Sequence, residues 1–165
     1  FFVNTFLDDN FDTFGGLDGG QQRIYFLVKK DGPIKNPHLN VNANNFLAQK
    51  WKFDVSGTFV IEDYEFTRKP LVLSGDYVDV DAQKKPIHFV ALHTKSKYIH
   101  SGKKLWNSTE EEKKMKFIKK AVKNRRRIHA ECLRTRKMMD LILFADDKDA
   151  LVCCSGDMND GPGMD

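Results

Sequence analysis

The sequence predicts an α/β protein in which one long helix packs against a mixed sheet. Three observations predict it: strand-like apolar runs before residue 95, a change to helical periodicity near residue 109, and a short apolar run after the helix. Of the 165 residues, 41% are hydrophobic and 30% are charged, which is typical of a globular chain and not of a disordered one. No apolar run approaches the roughly 20 residues of a membrane-spanning helix, and no signal-peptide pattern is visible.

The predicted strands are β-branched or aromatic runs that end at turn residues. They are Arg23–Lys29, Thr58–Ile61, Leu71–Tyr77 and Ile87–Leu92. A polar turn at residues 81–86 predicts that the last two strands form a hairpin or part of a meander. Because the run Ile87–Leu92 is apolar at nearly every position, we expect it to be central and buried on both faces. The segments Phe1–Gln22 and Asn36–Asn45 are rich in Asn, Asp or Gly and are predicted to be loops.

The helix prediction depends on a start signal and on the spacing that follows it. Ser108 followed by Glu111 has the pattern of a capping box, and acidic residues favour a helix N-terminus. Apolar residues then recur at helical spacing, which predicts one helix over Thr109–Leu143. A polar segment at residues 146–149 follows, and the chain then returns to a strand at Ala150–Cys154.

The charge of the chain is segregated. The formal net charge is only +4, yet residues 95–137 contain 16 Lys/Arg and four Glu, a local charge of +12. The remainder has a charge of −8. A positive surface of this kind suits a polyanion such as nucleic acid or phospholipid. The alternative is a solvated outer helix face, which Lys-rich helices commonly have.

The three cysteines, Cys132, Cys153 and Cys154, do not have the spacing of a disulfide framework or of a zinc site. Their number is odd and two of them are adjacent within an apolar run. We therefore expect them to pack inside the fold, and we expect a reducing compartment, with the cytoplasm favoured.

Polar side chains directly follow two predicted buried strands, a common position for sites in α/β folds. His93 follows Ile87–Leu92, while Asp157 and Asn159 follow Ala150–Cys154. In an extended chain alternate residues point the same way, so Asp157 and Asn159 would face one pocket. A carboxylate can activate a water, an amide can donate to a phosphoryl oxygen and an imidazole can transfer a proton. The alternatives are a turn whose Asp and Asn cap their own backbone, and a structural His.

Four segments resemble the endonuclease/exonuclease/phosphatase superfamily, whose nucleases, sphingomyelinases and inositol-phosphate phosphatases share the DNase I-like fold. The segments are FTRKPLVL, FVALHTKSK, RRRIHAECLRTRKMMDLIL and LVCCSGDMNDGPG, in the order that the family has them. The resemblance covers about residues 54–165. It implies a four-layer α/β/β/α sandwich with mixed, mainly antiparallel sheets, and a single domain over residues 1–165.

The resemblance also implies roles for four residues. Asp157, the Asp of the family's GDxN motif, would orient or activate the nucleophilic water, and Asn159 of that motif would hold the scissile phosphate. His93 matches the strand-end His of the nuclease and sphingomyelinase branches, and would contact the phosphate and assist proton transfer. Arg68, the Arg of FTRKP, would line the site and contact the substrate phosphate.

The cofactor implied by the resemblance is Mg²⁺ or Mn²⁺, but the sequence departs from the family where the metal binds. The family's metal-binding Glu and its C-terminal Asp-His pair are not identifiable, so no metal ligand is assigned. Because the chain begins without Met and stops right after GDMNDGPG, we expect it to be the central portion of a longer protein. The alternative is a remnant of the family that has no metal site of its own.

The expected function is metal-dependent hydrolysis of a phosphodiester, with nucleic acid as one candidate substrate. Two alternatives stay open. One is a phosphomonoesterase or phospholipid phosphodiesterase of the same fold. The other is a non-catalytic module that binds polyanions and retains the fold.

Overall fold

The structure is a computed structural model that describes residues 8–15 and 23–159. The strands are β1 (Phe11–Gly15), β2 (Tyr25–Lys29), β3 (Ile34–Leu39), β4 (Trp51–Phe53), β5 (Glu62–Tyr64), β6 (Leu71–Val78), β7 (Lys84–His93) and β8 (Leu151–Asp157). The helices are α1 (Val41–Ala48), α2 (Gly102–Trp106) and α3 (Glu111–Met138). A π-helical turn (Met139–Leu143) and a short helical turn (Phe144–Asp146) continue α3, and a 3₁₀ turn (Asp8–Asn10) precedes β1.

The central sheet has four strands in the order β3-β6-β7-β8. The pairs β3–β6 and β6–β7 are antiparallel, whereas β7 and β8 are parallel. Two parallel neighbours need a crossover connection, and here α2 and α3 provide it. The predicted mixed α/β class and the hairpin of β6 and β7 are therefore confirmed.

The main core lies between the helices and one face of this sheet. It consists of Ala43, Leu47, Phe66, Val72, Val90, Leu92, Met138 and Leu143. Side chains alternate along a strand, so Phe89 of β7 lies on the opposite face from Val90. On that face the ring of Phe89 lies 6.3 Å from the ring of Phe26 of β2. The β1–β2 hairpin thus packs on the face that the helices leave uncovered.

Four predicted elements are confirmed in their essentials. The strands Leu71–Tyr77 and Ile87–Leu92 are β6 and β7, the strand Ala150–Cys154 is most of β8, and the predicted helix is α3 with its π-helical turn. The predicted burial of β7 on both faces is only partly correct. Val90 and Leu92 are buried on the helix face, but Phe89 and Ala91 on the other face are only half-buried. None of the helices in the described residues has the length and apolar character needed to cross a membrane.

The capping box predicted at Ser108 is wrong. The N-cap residue of α3 is Glu110, and no side chain caps the helix there. The Ser108 Oγ accepts a hydrogen bond from the N–H of Glu110 instead, at 3.1 Å. Acidic residues still occupy the first turn, where they favour the helix through its dipole.

The loop predicted at Asn36–Asn45 is wrong, because β3 and α1 occupy most of it. Asn40 caps α1, since its Oδ1 accepts from the N–H of Ala43 at 3.0 Å. The side chain of Asn44 bonds both the N–H and the carbonyl of Val72, each at 2.9 Å. These Asn side chains satisfy backbone groups inside regular structure, although their sequence pattern is that of a loop.

Two further predictions are wrong in the first part of the chain. Within the predicted loop Phe1–Gln22, Phe11–Gly15 is strand β1, which pairs with β2, and residues 1–7 and 16–22 lie outside the described residues. The predicted strand Thr58–Ile61 is a loop. The Asp54 carboxylate organises this loop, because it accepts from the N–H groups of Gly57 and Phe59 at 2.7 and 3.0 Å. Arg23–Lys29 is confirmed as a strand over Tyr25–Lys29.

The cysteines do not pack inside the fold. Cys132, Cys153 and Cys154 all lie in exposed positions. Cys153 and Cys154 are exposed because β8 is an edge strand of the central sheet among the described strands. Its side chains therefore have neighbouring side chains on one side only. Partial burial nevertheless raises the pKa of the Cys154 thiol.

Candidate functional site

His93 and Asp157 lie side by side at one end of the central sheet. They are the last paired residues of the parallel strands β7 and β8. The His93 Nε2 lies 3.6 Å from the Asp157 Oδ2, which is an ion-pair distance and longer than a hydrogen bond. The His93 side chain is 23% exposed and that of Asp157 is 62% exposed. A ligand can therefore reach the pair from the carboxylate side.

Arg68 and Asn159 meet beside this pair at one oxygen atom, the main-chain carbonyl of Thr94. The Arg68 Nη1 donates to it at 3.1 Å and the Asn159 Nδ2 donates at 2.9 Å. The N–H of Thr94 in turn donates to the Asp157 carbonyl at 3.0 Å. The structure thus brings His93, Asp157, Asn159 and Arg68 together around one loop and one strand end.

The chain after β8 is a turn and not an extended segment. Asn159 has a φ of 50°, in the left-handed region, and its N–H donates to the Asp157 Oδ1 at 2.9 Å. The turn in which Asp caps the backbone, one of the two alternatives from the sequence, is therefore present. The Asp157 Oδ2 nevertheless faces His93, and the Asn159 amide reaches the Thr94 loop. The two roles of the Asp157 carboxylate are divided between its two oxygens.

Gly156 allows β8 to approach β7 at this point. It has a φ of +132°, and a Cβ atom there would lie 1.9 Å from the Leu92 carbonyl oxygen. Only glycine fits such a contact, because any side chain would push the two strands apart. The glycine that precedes Asp157 therefore fixes the distance between Asp157 and His93.

A buried carboxylate, Glu131 on α3, holds the loops that carry the site. Glu131 is fully buried. Its Oε1 accepts from the Tyr64 hydroxyl at 2.9 Å and from the N–H of Thr67 at 3.2 Å. Its Oε2 accepts from the N–H of Lys95 at 2.7 Å. Thr67 precedes Arg68 and Lys95 follows Thr94, so one side chain fixes the loops on both sides of the site.

The Tyr64 hydroxyl is the third partner of Glu131. Burial, together with the negative charge of Glu131, raises the pKa of Tyr64 well above its usual range. The hydroxyl therefore stays protonated at neutral pH and donates a hydrogen bond to Glu131. Since three donors point at it, the Glu131 carboxylate has the partners that a buried charge requires.

The described residues do not provide a ligand set for Mg²⁺ or Mn²⁺. No group of three or more His, Cys, Asp or Glu side chains that could hold a metal ion occurs within residues 8–15 and 23–159. Asp157 is the only one of the four site residues with a carboxylate, and Glu131 has its oxygens occupied by three donors. A metal at this site would need ligands from outside the described residues.

Sequence reasoning missed Glu131, Thr94 and Tyr64. A signal for Glu131 was present, because it lies in helical register with the buried residues Ile128, Thr135 and Met138. A carboxylate on the buried face of a helix needs several donors, and so it marks a place where loops converge. Thr94 had no such signal, because its role depends on the main-chain carbonyl.

Comparison of the chain with models of protein families, with curated proteins and with solved structures gives no match. The resemblance of the four segments to the endonuclease/exonuclease/phosphatase superfamily therefore stays a prediction.

Proposed function

We propose that the His93 site binds and hydrolyses a phosphoester, as in the endonuclease/exonuclease/phosphatase superfamily, and that the preferred substrate is a phosphodiester. The observation that carries the proposal is the pairing of His93 with Asp157 at the ends of two parallel strands. Asn159 and Arg68 supply an amide and a guanidinium next to it. A carboxylate, an imidazole and two nitrogen donors are the groups that attack on a phosphoryl centre requires.

The proposed step is a displacement at phosphorus. Water forms a new bond to phosphorus while the bond from phosphorus to the ester oxygen breaks. Asp157 orients the water and takes its proton, and the neighbouring His93 imidazole relays that proton to the departing alkoxide. Asn159 and Arg68 stabilise the negative charge on the phosphoryl oxygens, because charge-assisted hydrogen bonds strengthen as that charge develops.

We also propose that the protein has the α/β/β/α sandwich of this superfamily and uses a divalent cation. The helices, the central sheet and the β1–β2 hairpin correspond in order to three layers of the proposed α/β/β/α sandwich. A divalent cation, Mg²⁺ or Mn²⁺, is proposed as the cofactor on the family resemblance alone. When bound it would neutralise charge on the phosphate, and its ligands would lie outside the described residues.

The first test is hydrolysis of bis(4-nitrophenyl) phosphate by the purified protein with Mg²⁺, with Mn²⁺ and with EDTA. We expect activity that needs the metal and that falls about 100-fold or more in His93→Ala and in Asp157→Asn, because each removes a proton-transfer group. His129→Gln is the matched control, since His129 is an exposed histidine on α3 away from the site. Equal activity in all three variants, or full activity in EDTA, contradicts the proposal.

A second readout separates binding from turnover. Titration with dimethyl phosphate should shift the NMR signals of the His93 imidazole and the Asn159 side-chain amide, and the His129 signals should stay in place. If the protein does not hydrolyse the ester but these two signals shift, the site binds phosphoesters without cleaving them. If no signal at His93 or Asn159 shifts, the site is not a phosphoester site.

One observation favours a second candidate function, a non-catalytic module that binds polyanions. The described residues hold no cluster of metal ligands, and metal-dependent hydrolysis requires one. In that case the nitrophenyl ester is not cleaved under any metal condition, although polyanion binding persists.

A further inference from the structure

A cavity of about 340 Å³ lies between α3 and the loop that follows β7. Four cationic side chains line it: Lys95 from the loop and Lys120, Lys123 and Arg127 from the helix. The three helix residues are spaced at i, i+3 and i+7, so they lie on one face of α3. Among the residues that the structure describes, no Asp or Glu lines the cavity. The basic segment is therefore not only a solvated helix face, because part of it converges on a concave site.

Within the described part of the chain, the four cations of the cavity form no salt bridge. The Nε of Arg127 is in addition buried without a hydrogen-bond partner among the described residues. Like charges held together repel one another, so an anion in the cavity would stabilise the arrangement.

The cavity also presents aromatic rings. Tyr98 and His100 line it, and the Tyr98 side chain is 68% exposed. A positively charged groove with exposed aromatic rings is the combination that binds single-stranded nucleic acid, because phosphates contact the cations and bases stack on the rings. Membrane surfaces need basic residues too, but they do not need rings inside a concave site.

The walls of the cavity are fixed before any ligand binds. The Asn124 Nδ2 donates to the carbonyls of Lys97 and Tyr98 at 3.4 and 3.2 Å, which holds the loop against α3. Glu131 bonds the N–H of Lys95, so the carboxylate that supports the His93 site also supports this cavity. A preformed site loses less conformational entropy on binding.

We propose that this cavity binds one nucleotide of a single-stranded nucleic acid, with the phosphate on Lys95, Lys120, Lys123 and Arg127 and the base against Tyr98. A base can stack on the exposed Tyr98 ring only when it is unstacked from its neighbours, which favours single strands over a duplex. Lys95 lies two residues after His93, within about 7 Å along the backbone. The further statement that the nucleotide flanks a phosphodiester in the His93 site rests on the proposed function.

The test is fluorescence anisotropy with labelled oligothymidylate in EDTA, where hydrolysis does not interfere. The double variant Lys120→Gln/Lys123→Gln removes two cavity cations. We expect the slope of log K against log salt to flatten by about 1.4, and the affinity to fall about tenfold in 0.15 M salt. Lys116→Gln/Lys119→Gln is the matched control, because it removes the same charge from exposed positions of α3 outside the cavity. Its slope should stay that of the unmodified protein.

Two further measurements test whether the base stacks on Tyr98 and whether the phosphate belongs to a nucleic acid or to a lipid. Tyr98→Ala should weaken binding of oligothymidylate about fivefold or more, and Tyr98→Phe should keep it, because the ring provides the stacking. An abasic oligomer of equal length should bind the unmodified protein as weakly as oligothymidylate binds the Tyr98→Ala variant. Equal slopes in the two lysine variants, equal binding of the abasic oligomer, or stronger binding to phosphatidylserine vesicles than to oligothymidylate each overturns the proposal.

The outcomes for the two sites can be told apart. His93→Ala removes hydrolysis under the proposed function but leaves the difference in salt slope between the two lysine variants unchanged. If the two lysine variants give the same salt slope, the proposal for the cavity is contradicted, but the proposed function of the His93 site is not. Thermal melting of every variant shows whether it is folded, and all of the changed cavity side chains lie on the surface.

Discussion

The two halves of α3 differ in almost every physical respect, although one continuous helix contains both. The first half, residues 111–127, contains nine Lys/Arg and two Glu and has no buried residue. The second half contains all of the buried residues of the helix, which are Ile128, Ala130, Glu131, Thr135 and Met138. Contacts with the core therefore stabilise the second half, and local interactions stabilise most of the first.

The comparison shows that helical periodicity does not tell which face of a helix is buried. Met115, Ile118 and Val122 are apolar at helical spacing, yet all three are exposed. The first half packs instead against α2, where the ring of Phe117 lies 5.6 Å from the ring of Trp106. Its charged face is left free to line the cavity, and the second half supports both sites through Glu131.

The largest expected effect is on the free energy of unfolding, when one methionine in each half of α3 is replaced by alanine. Met138 is fully buried and Met115 is 51% exposed. Met138→Ala should lower the free energy of unfolding by about 2–5 kcal/mol, because it leaves a cavity in the core. Met115→Ala should change it by less than about 0.5 kcal/mol. Urea denaturation of the two variants measures the difference. Equal losses would mean that the two halves are packed alike.

A glutamate from each half gives a smaller expected difference in stability, and hydrogen exchange locates that difference at single amides. Glu131→Gln replaces one acceptor oxygen with a donor. Either the N–H of Lys95 or the N–H of Thr67 then loses its acceptor, whereas the Tyr64 hydroxyl can turn and accept from the new amide. The expected loss is about 1–3 kcal/mol. Hydrogen exchange at the Lys95 or Thr67 amide should become faster.

Glu112→Gln is the matched control on the exposed first half. It should lower the free energy of unfolding by no more than about 0.3–1 kcal/mol, because only a charge in the first turn is lost, and it should leave the exchange at both amides unchanged. Loss of stability without faster exchange at either amide would assign Glu131 a packing role only, and it would remove its role in positioning the loops.

The smallest expected effect is at the start of the first half. Lys113 forms an exposed ion pair with Glu110, and Lys114 forms one with Glu111. Lys113→Gln should lower the free energy of unfolding by about 0.2–0.5 kcal/mol in low salt and by less in 1 M salt, because solvent and ions screen an exposed pair. Thermal melting at the two salt concentrations measures it. A loss above about 1 kcal/mol would show that the first half contributes to the core after all.

The sequence by itself determined the elements whose signal is local. The apolar runs of β6, β7 and β8 and the long periodic segment of α3 were predictable, because burial of a strand or helix imposes its own spacing. The position of His93 and Asp157 at strand ends followed from the same runs. The parallel pairing of β7 and β8 then brought the two side chains together.

Only the tertiary structure decided the elements whose signal depends on distant partners. Asn40 and Asn44 have the composition of a loop, but bonds to β6 and to the first turn of α1 make them part of regular structure. The exposure of Cys153 and Cys154 follows from the edge position of β8, which composition does not reveal. Glu131 acquires its role from donors 36 to 67 residues away. A local pattern specifies what a segment can form, whereas the partners of a buried polar group are set only when the chain is packed.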